Sequence, residues 1–374
     1  MFENALEIIK NNRDRKLSGE YNCIPWGLPR FEESSGIYGI QQGKYYLVTG
    51  NQKSGKSQIA DHLFMYHPYR WLKHTNSDIK LKIIYFSLEM SVEEKLIQAC
   101  ANKLYIDSLG SIRKSPTDLK SIKNALDQNI LDKIIADTGY FEDFLTTIDF
   151  VKDIKNPTGI IKYIEEYAKK NGTVIEKEIT IDGERKKVFD RYIPNNPNEY
   201  VIIIVDHASL LQQEKKEGVL LSTKQCIELL SSQYFIKIRN NYNYIPVLIQ
   251  QQAAAQESVE NEKNNRLRPT SDGLAESKLP ARDVNFMFGI FSPYRHKMQK
   301  YPNDYGEVGY DITKFKDNIR FLELVISREG GAGSICPLFF DGAVNIFNEL
   351  PKATDITELN KVLNYINKTI VIKT

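Results

Sequence analysis

The chain has 374 residues, 41% of them hydrophobic and 26% charged, the composition of an ordinary globular protein long enough for one large domain or two medium ones. No run of about 18 apolar residues offers a bilayer span, and Glu3 and Glu7 in the opening turns are unlike a secretory leader, so a cytoplasmic protein is expected. Lys and Arg number 50 against 48 Asp and Glu, a net charge of +2, which excludes an overall polycation and moves any nucleic-acid contact to local clusters.

From Phe2 to Lys10 the residues Phe2, Ala5, Leu6, Ile8 and Ile9 recur near helical spacing, with the charged run Asn12 to Lys16 behind them. This is a short amphipathic arm, packed on its own core or docked on a neighbouring subunit. Tyr45-Tyr46-Leu47-Val48-Thr49 is a first strand, and a helix-compatible stretch runs from Lys56 to Tyr66. Ile83-Ile84-Tyr85-Phe86-Ser87 is a second, leading to a helix that Ser91 can cap with Glu94 three residues on. Tyr200 to Val205 is continuously apolar, as a strand covered on both faces must be. Tyr244 to Ile249 carries Pro246 near its start, where a strand tolerates it, and Leu322 to Ser327 is the fifth. Strands alternating with helices predict an α/β fold with a mostly parallel central sheet flanked by helices. Right-handed crossovers would line the carboxyl ends of these strands along one edge, where open sheets bind ligands.

Two stretches break the alternation. Residues 105–198 read as an insertion containing an amphipathic segment, Ile160, Ile161, Ile164, Tyr167 and Ala168. Two β-like arms follow, Thr173 to Ile181 and Lys186 to Tyr192, around Asp182-Gly183, a dipeptide that favours a tight hairpin. Gln251 to Ser277 is polar and Asn-rich, the composition of a long mobile loop. The expected organisation is a helical arm over 1–20, one domain over 21–350 that includes the insertion, and a tail over 351–374. The cysteines Cys23, Cys100, Cys226 and Cys336 form no CxxC pair, so neither zinc nor a disulfide framework is indicated.

Gly50-Asn51-Gln52-Lys53-Ser54-Gly55-Lys56-Ser57 fits G-x-x-x-x-G-K-[ST] between a predicted strand and a predicted helix, the context of a P-loop. Its glycines let backbone N–H groups face phosphates, and the helix N-terminus adds positive potential. Lys56 would reach the β- and γ-phosphates of ATP, and the Ser57 hydroxyl would bind Mg²⁺. Asp206 follows the apolar run ending at Val205, where a carboxylate can hold Mg²⁺ through water. Glu89, just past the second run, is placed to polarise the water that attacks the γ-phosphate. His207 beside Asp206 reads as a packing or locally bonded histidine and stays outside the catalytic set.

Ser87-Leu88-Glu89-Met90 after a strand is similar to the sequence following the second core strand of DnaB-family replicative helicases, in which that glutamate is the catalytic base. Ile24-Pro25-Trp26-Gly27-Leu28 looks like the family's entry to its core, and Val205-Asp206-His207-Ala208-Ser209-Leu210 resembles its Walker B segment. The strand from Ile245 to Gln252 resembles the one ending in a γ-phosphate-sensing glutamine, which maps best to Gln252, with Gln250 and Gln251 blurring the register. Arg268-Pro269-Thr270-Ser271-Asp272 with Glu276-Ser277, and Glu323 to Gly333, resemble the later family segments. Matching pieces recur from about Ile24 to Phe347.

The resemblance implies a RecA-like P-loop core, MgATP bound between subunits of a hexameric ring, and hydrolysis that moves single-stranded DNA. It has departures. The family's trans-acting Lys-x-Arg pair is here Ser327-Arg328-Glu329-Gly330-Gly331, leaving Arg328 for that role, and the acidic run after the Ser-Asp segment is reduced to Asp283. About 20 residues precede the core in place of the family's globular N-terminal domain. A phage or mobile-element helicase, working in the host cytoplasm beside other replisome proteins, is the expectation.

RecA-like motors face DNA with the loops after the Walker B and sensor strands. Here these hold Lys215 and Lys216, and Lys263, Arg266 and Arg268, which would neutralise backbone phosphates without reading bases. Two other readings stay open: a RecA-like recombinase, and a non-motor factor that binds single-stranded DNA or a replisome partner with ATP as a switch.

Overall fold

A computed structural model describes residues 2–181, 184–263, 266–302 and 308–371. Fifteen strands are assigned in chain order. β1 (Tyr46–Gly50), β2 (Lys80–Ser87), β3 (Ile148–Val151), β4 (Gly172–Ile181), β5 (Glu184–Pro194) and β6 (Glu199–Asp206) precede two short ones, β7 (Lys215–Lys216) and β8 (Val219–Leu220). β9 (Ile245–Gln251), β10 (Phe286–Phe291), β11 (Lys300–Tyr301), β12 (Tyr310–Asp311), β13 (Ile319–Ser327), β14 (Ile335–Asp341) and β15 (Ile346–Glu349) complete the set. Nine form one sheet in the order β15-β14-β13-β10-β1-β9-β6-β2-β3. The six strands from β10 to β3 run parallel, and β13, β14 and β15 add antiparallel at the other side.

The continuous apolar character of the inner strands follows from this layering. Along β6, Val201, Ile203 and Val205 point into one buried cluster and Ile202 and Ile204 into the other, all at most 1% exposed. A polar residue on either face would lose water with no partner to replace it. Trp26 lies fully buried beneath the sheet, edge-on to Tyr46, Phe64 and Phe288.

Four of the five expected strands belong to the parallel part, with ends shifted by one to three residues. The fifth, β13, is antiparallel to β10, so its carboxyl end lies at the opposite edge from the other four. Hydrophobic pattern records a strand's faces, and its direction depends on the connection that enters it. Within 105–198, β3 pairs with β2 as the last strand of the main sheet, and the helix Pro157–Lys170 buries Ile160, Ile161, Ile164 and Ala168. β4 and β5 pair as a separate hairpin; its expected turn, Asp182-Gly183, lies outside the described residues. The arm is a helix, Phe2–Leu17, tied down near its end by Arg15, which binds Asp78, Asn22 and Asn198, while Phe2, Ile8 and Ile9 stay exposed. Among the described residues no helix is long and apolar enough to cross a membrane.

Candidate nucleotide site

The carboxyl ends of β1, β2, β6 and β9 meet at one edge: Gly50 pairs with Gln251, Ser87 with Asp206, and Asp206 with Ile249. At this edge β1 turns through Gly50–Gly55 into the helix Lys56–Asp61. Only glycine fits the two ends of the turn. A Cβ on Gly50 would lie 2.5 Å from Ser54 Oγ and 2.6 Å from the Ile290 carbonyl oxygen, and Gly55 has φ +98°. Ser54 Oγ is buried without a hydrogen-bond partner in the protein, as a cradle shaped for an acceptor-rich ligand would leave it.

Lys56 Nζ donates to the Asn51 carbonyl oxygen at 3.3 Å. Burial pushes its pKa down, against the pull of Asp206 and Glu89. Ser57 Oγ donates to Asp206 Oδ1 at 2.9 Å, so the two expected metal ligands are in contact. Glu89 projects from the loop after β2 with 56% of its side chain exposed, its Oε2 3.9 Å from His207 Nε2. It borders a cleft with Lys152, Lys155 and Gln212. Burial also lowers the His207 pKa, opposed by Asp206 and Glu89.

Gln252 is 2% exposed, and its amide is fully engaged. Nε2 donates to Thr49 Oγ1 at 2.9 Å and to the Thr270 carbonyl at 3.0 Å, while Oε1 accepts from Thr270 N at 3.1 Å. It therefore fastens the strand entering the P-loop to the loop beyond β9. Gln250 points to the other face and donates to the carbonyls of Ala275 and Ser277. The expected mobile loop thus has internal structure: Ala254–Glu257 and Val259–Lys263 are short helices, and Gln256 Nε2 donates to the carbonyls of Arg266 and Arg268. Side-chain amides replace the missing backbone ladder, which polar composition alone does not reveal.

The DNA-facing candidates flank this edge. Lys215 and Lys216 sit exposed on a small hairpin formed by β7 and β8, whose central residues Glu217 and Gly218 have φ 53° and 81°, the tight turn such hairpins favour. Lys263 and Arg266 are exposed, and Arg268 is half-buried with its guanidinium 5.1 Å from the Tyr301 ring. Arg328 lies elsewhere. It follows β13, whose last residue Ser327 pairs with Phe286 at the amino end of β10, and it donates to the carbonyls of Val284 and Arg282. That is the sheet edge opposite the P-loop of its own chain.

Two features escaped sequence reasoning. Arg320, 2% exposed, props the P-loop from below: Nε donates to the Ser54 carbonyl at 2.8 Å, Nη2 binds Asp317 at 2.9 Å, and the guanidinium lies 4.3 Å from the Phe340 ring. A lone arginine inside the apolar run Ile319-Arg320-Phe321-Leu322 was the available signal. Beside it, Lys53, Tyr294, Arg295, Lys297 and Lys316 line a groove of about 820 Å³ running away from the P-loop.

No family model matches the chain, and no curated protein sequence does. Solved structures do match. The ATPase domain of a phage DnaB-like helicase superposes with a TM-score of 0.64 at 16% identity, over 94% of this chain and 99% of the other. A DnaB-like replicative helicase described with its primase interactions gives a TM-score of 0.62 at 15% identity, over 93% of this chain and 67% of that one. The chain has the α/β fold of RecA-like helicase ATPase domains.

Proposed function

We propose that this protein is an ATP-dependent replicative DNA helicase, one that translocates on single-stranded DNA as a ring of identical subunits in the cytoplasm. The observation that carries the reading is the convergence of Lys56, Ser57, Asp206 and Glu89 on one strand-end edge. The donors suit MgATP. Ser57 and Asp206 offer hard oxygen ligands in mutual contact, as Mg²⁺ prefers, and the glycine turn with the unpartnered Ser54 hydroxyl suits phosphate oxygens. Bound Mg²⁺ would neutralise charge on the β- and γ-phosphate oxygens. Lys56 holds the phosphates, Glu89 orients the attacking water, and Gln252 links the nucleotide to the loop carrying Lys263 and Arg266.

A position at the far edge supports a role for Arg328 on a neighbouring subunit's nucleotide. Four residues of β10, about 13 Å at about 3.3 Å per residue, separate the level of Arg328 from that of the P-loop in its own chain. The exposed apolar face of the N-terminal helix also supports assembly, since another subunit can cover it.

The deciding experiment is unwinding of a forked duplex with ATP, alongside native mass with and without single-stranded DNA. Directional unwinding by an oligomer is the expected result. Homologous strand exchange without unwinding would make the protein a recombinase, and nucleotide-dependent DNA binding without translocation would make it a switch.

The channel assignment has its own test. Lys263 and Arg266 are both exposed, so replacing the pair with alanine leaves packing intact. Single-strand binding should weaken similarly for different sequences, and the slope of log affinity against log salt should flatten by about 0.7 per lost contact. ATP hydrolysis without DNA should persist while its stimulation by DNA falls. An unchanged slope with full stimulation would remove this loop from the DNA path and leave Lys215 and Lys216.

A further inference from the structure

Behind the carboxylate that ends β6 stands a group of buried polar side chains with no part in the chemistry described so far. Asp206 Oδ1 faces Ser57, and its Oδ2 accepts from the Tyr85 hydroxyl at 3.0 Å and lies 3.5 Å from Lys95 Nζ. Lys95 donates to Asp61 Oδ2 at 2.8 Å and to the Tyr85 oxygen at 2.8 Å, and the Tyr85 hydroxyl also meets Asp61 Oδ1 at 2.8 Å. Tyr85 is 0% exposed, Asp61 and Lys95 1%, and Asp206 2%, so these groups have one another in place of water. They come from four elements: the P-loop helix, β2, the helix Val92–Asp107 and β6.

Burying an ammonium and two carboxylates is unfavourable beside a well-packed apolar core of the same volume, so stability gives no reason for this cluster. Geometry gives one. With Oδ2 pinned by Tyr85 and Lys95, the Asp206 carboxylate cannot rotate, and Oδ1 is kept turned toward Ser57. Tyr85 and Lys95 also flank the loop that carries Glu89, which is tied to the same strand end by the bond from Leu88 N to the Asp206 carbonyl at 2.8 Å.

We propose that Asp61, Tyr85 and Lys95 form a positioning assembly that fixes the Asp206 carboxylate toward Ser57 and thereby sets how tightly a divalent cation is held with the nucleotide. The proposal rests on the assignment of Ser57 and Asp206 as the cation ligands. Partners that orient a metal ligand from behind typically change metal affinity 10- to 100-fold when removed.

The test uses the full chain loaded with ADP, with Mn²⁺ binding read by electron paramagnetic resonance. ADP affinity in EDTA and thermal melting are measured in parallel. Tyr85→Phe removes one oxygen from a ring that keeps its packing; the double variant Asp61→Leu/Lys95→Met replaces the ion pair by apolar side chains of similar volume. Both are expected to raise the Mn²⁺ dissociation constant about tenfold or more, with metal-free ADP affinity unchanged. A merely structural cluster would instead shift melting and metal-free ADP affinity together. Wild-type Mn²⁺ affinity in folded Tyr85→Phe overturns the proposal, and if the double variant does not fold, Tyr85→Phe alone decides. Ser57→Ala separates the two levels: if it binds Mn²⁺ as tightly as wild type, the cation site itself is wrong. If it binds weakly while Tyr85→Phe is normal, only the positioning assembly fails.

Discussion

Replacing Lys56 with alanine is expected to abolish useful turnover, lowering kcat by about 10²- to 10³-fold, as loss of one preorganised charge-stabilising donor does, and to weaken ATP binding. The ammonium sits at the helix N-terminus with burial depressing its pKa, and its protein hydrogen bond is to the Asn51 carbonyl at 3.3 Å. Asp206 and Glu89 pull its pKa the other way, so the cation also offsets the negative charge that those two carboxylates present to an incoming phosphate chain. Alanine leaves that repulsion uncompensated. Among the described residues Lys56 makes no ion pair, so its loss breaks no structural link and the variant should melt close to wild type. The measurement is steady-state ATPase rate beside equilibrium binding of a fluorescent ATP analogue. Turnover within about threefold of wild type in folded protein, a change worth well under one tenfold step in transition-state stabilisation, would remove the P-loop assignment.

Why Lys56 was legible and its supports were not is a matter of sequence distance. The P-loop is one contiguous segment between a strand and a helix, and Asp206 and Glu89 each sit within three residues of an apolar run, so local pattern places all of them at strand ends. β10 was passed over although Phe286–Phe291 is apolar throughout and fully buried. Its interior Gly289 weakens the strand signal, and a Cβ there would lie 2.9 Å from Pro269 Cβ, a close approach that exists only in three dimensions. Asp61 and Lys95 read as solvated charges on their helices until the sheet order brings β2 beside β6. The spacing of Asp61 four residues after Ser57 did hold a clue, because such a pair shares one helix face. Arg328 depends on the direction of β13, which side-chain alternation does not encode.

Glu89→Gln should give the opposite signature from Lys56→Ala: binding retained, chemistry lost. The glutamate is more than half exposed and its nearest charged neighbour is His207 at 3.9 Å, so an amide of the same shape disturbs no packing and removes only the acceptor for the water's proton. A positioned general base contributes about 10²- to 10⁴-fold, so kcat should fall by that range while ATP affinity in the presence of Mg²⁺ is kept. The variant should accumulate in its ATP-bound form, visible as retention of labelled ATP on rapid filtration without released phosphate. Equal loss of ATP binding in this variant and in Lys56→Ala would make Glu89 a structural residue. His207 supplies the sharper contrast. Burial lowers its pKa and leaves Nδ1 without a partner in the protein, so it is the other base within reach of the same edge. If Glu89→Gln keeps its turnover and His207→Ala loses it, the proton goes to the histidine and the role assigned to Glu89 is wrong. If Glu89→Gln is inactive while His207→Ala keeps most of its rate, the carboxylate after β2 is the group that takes the proton.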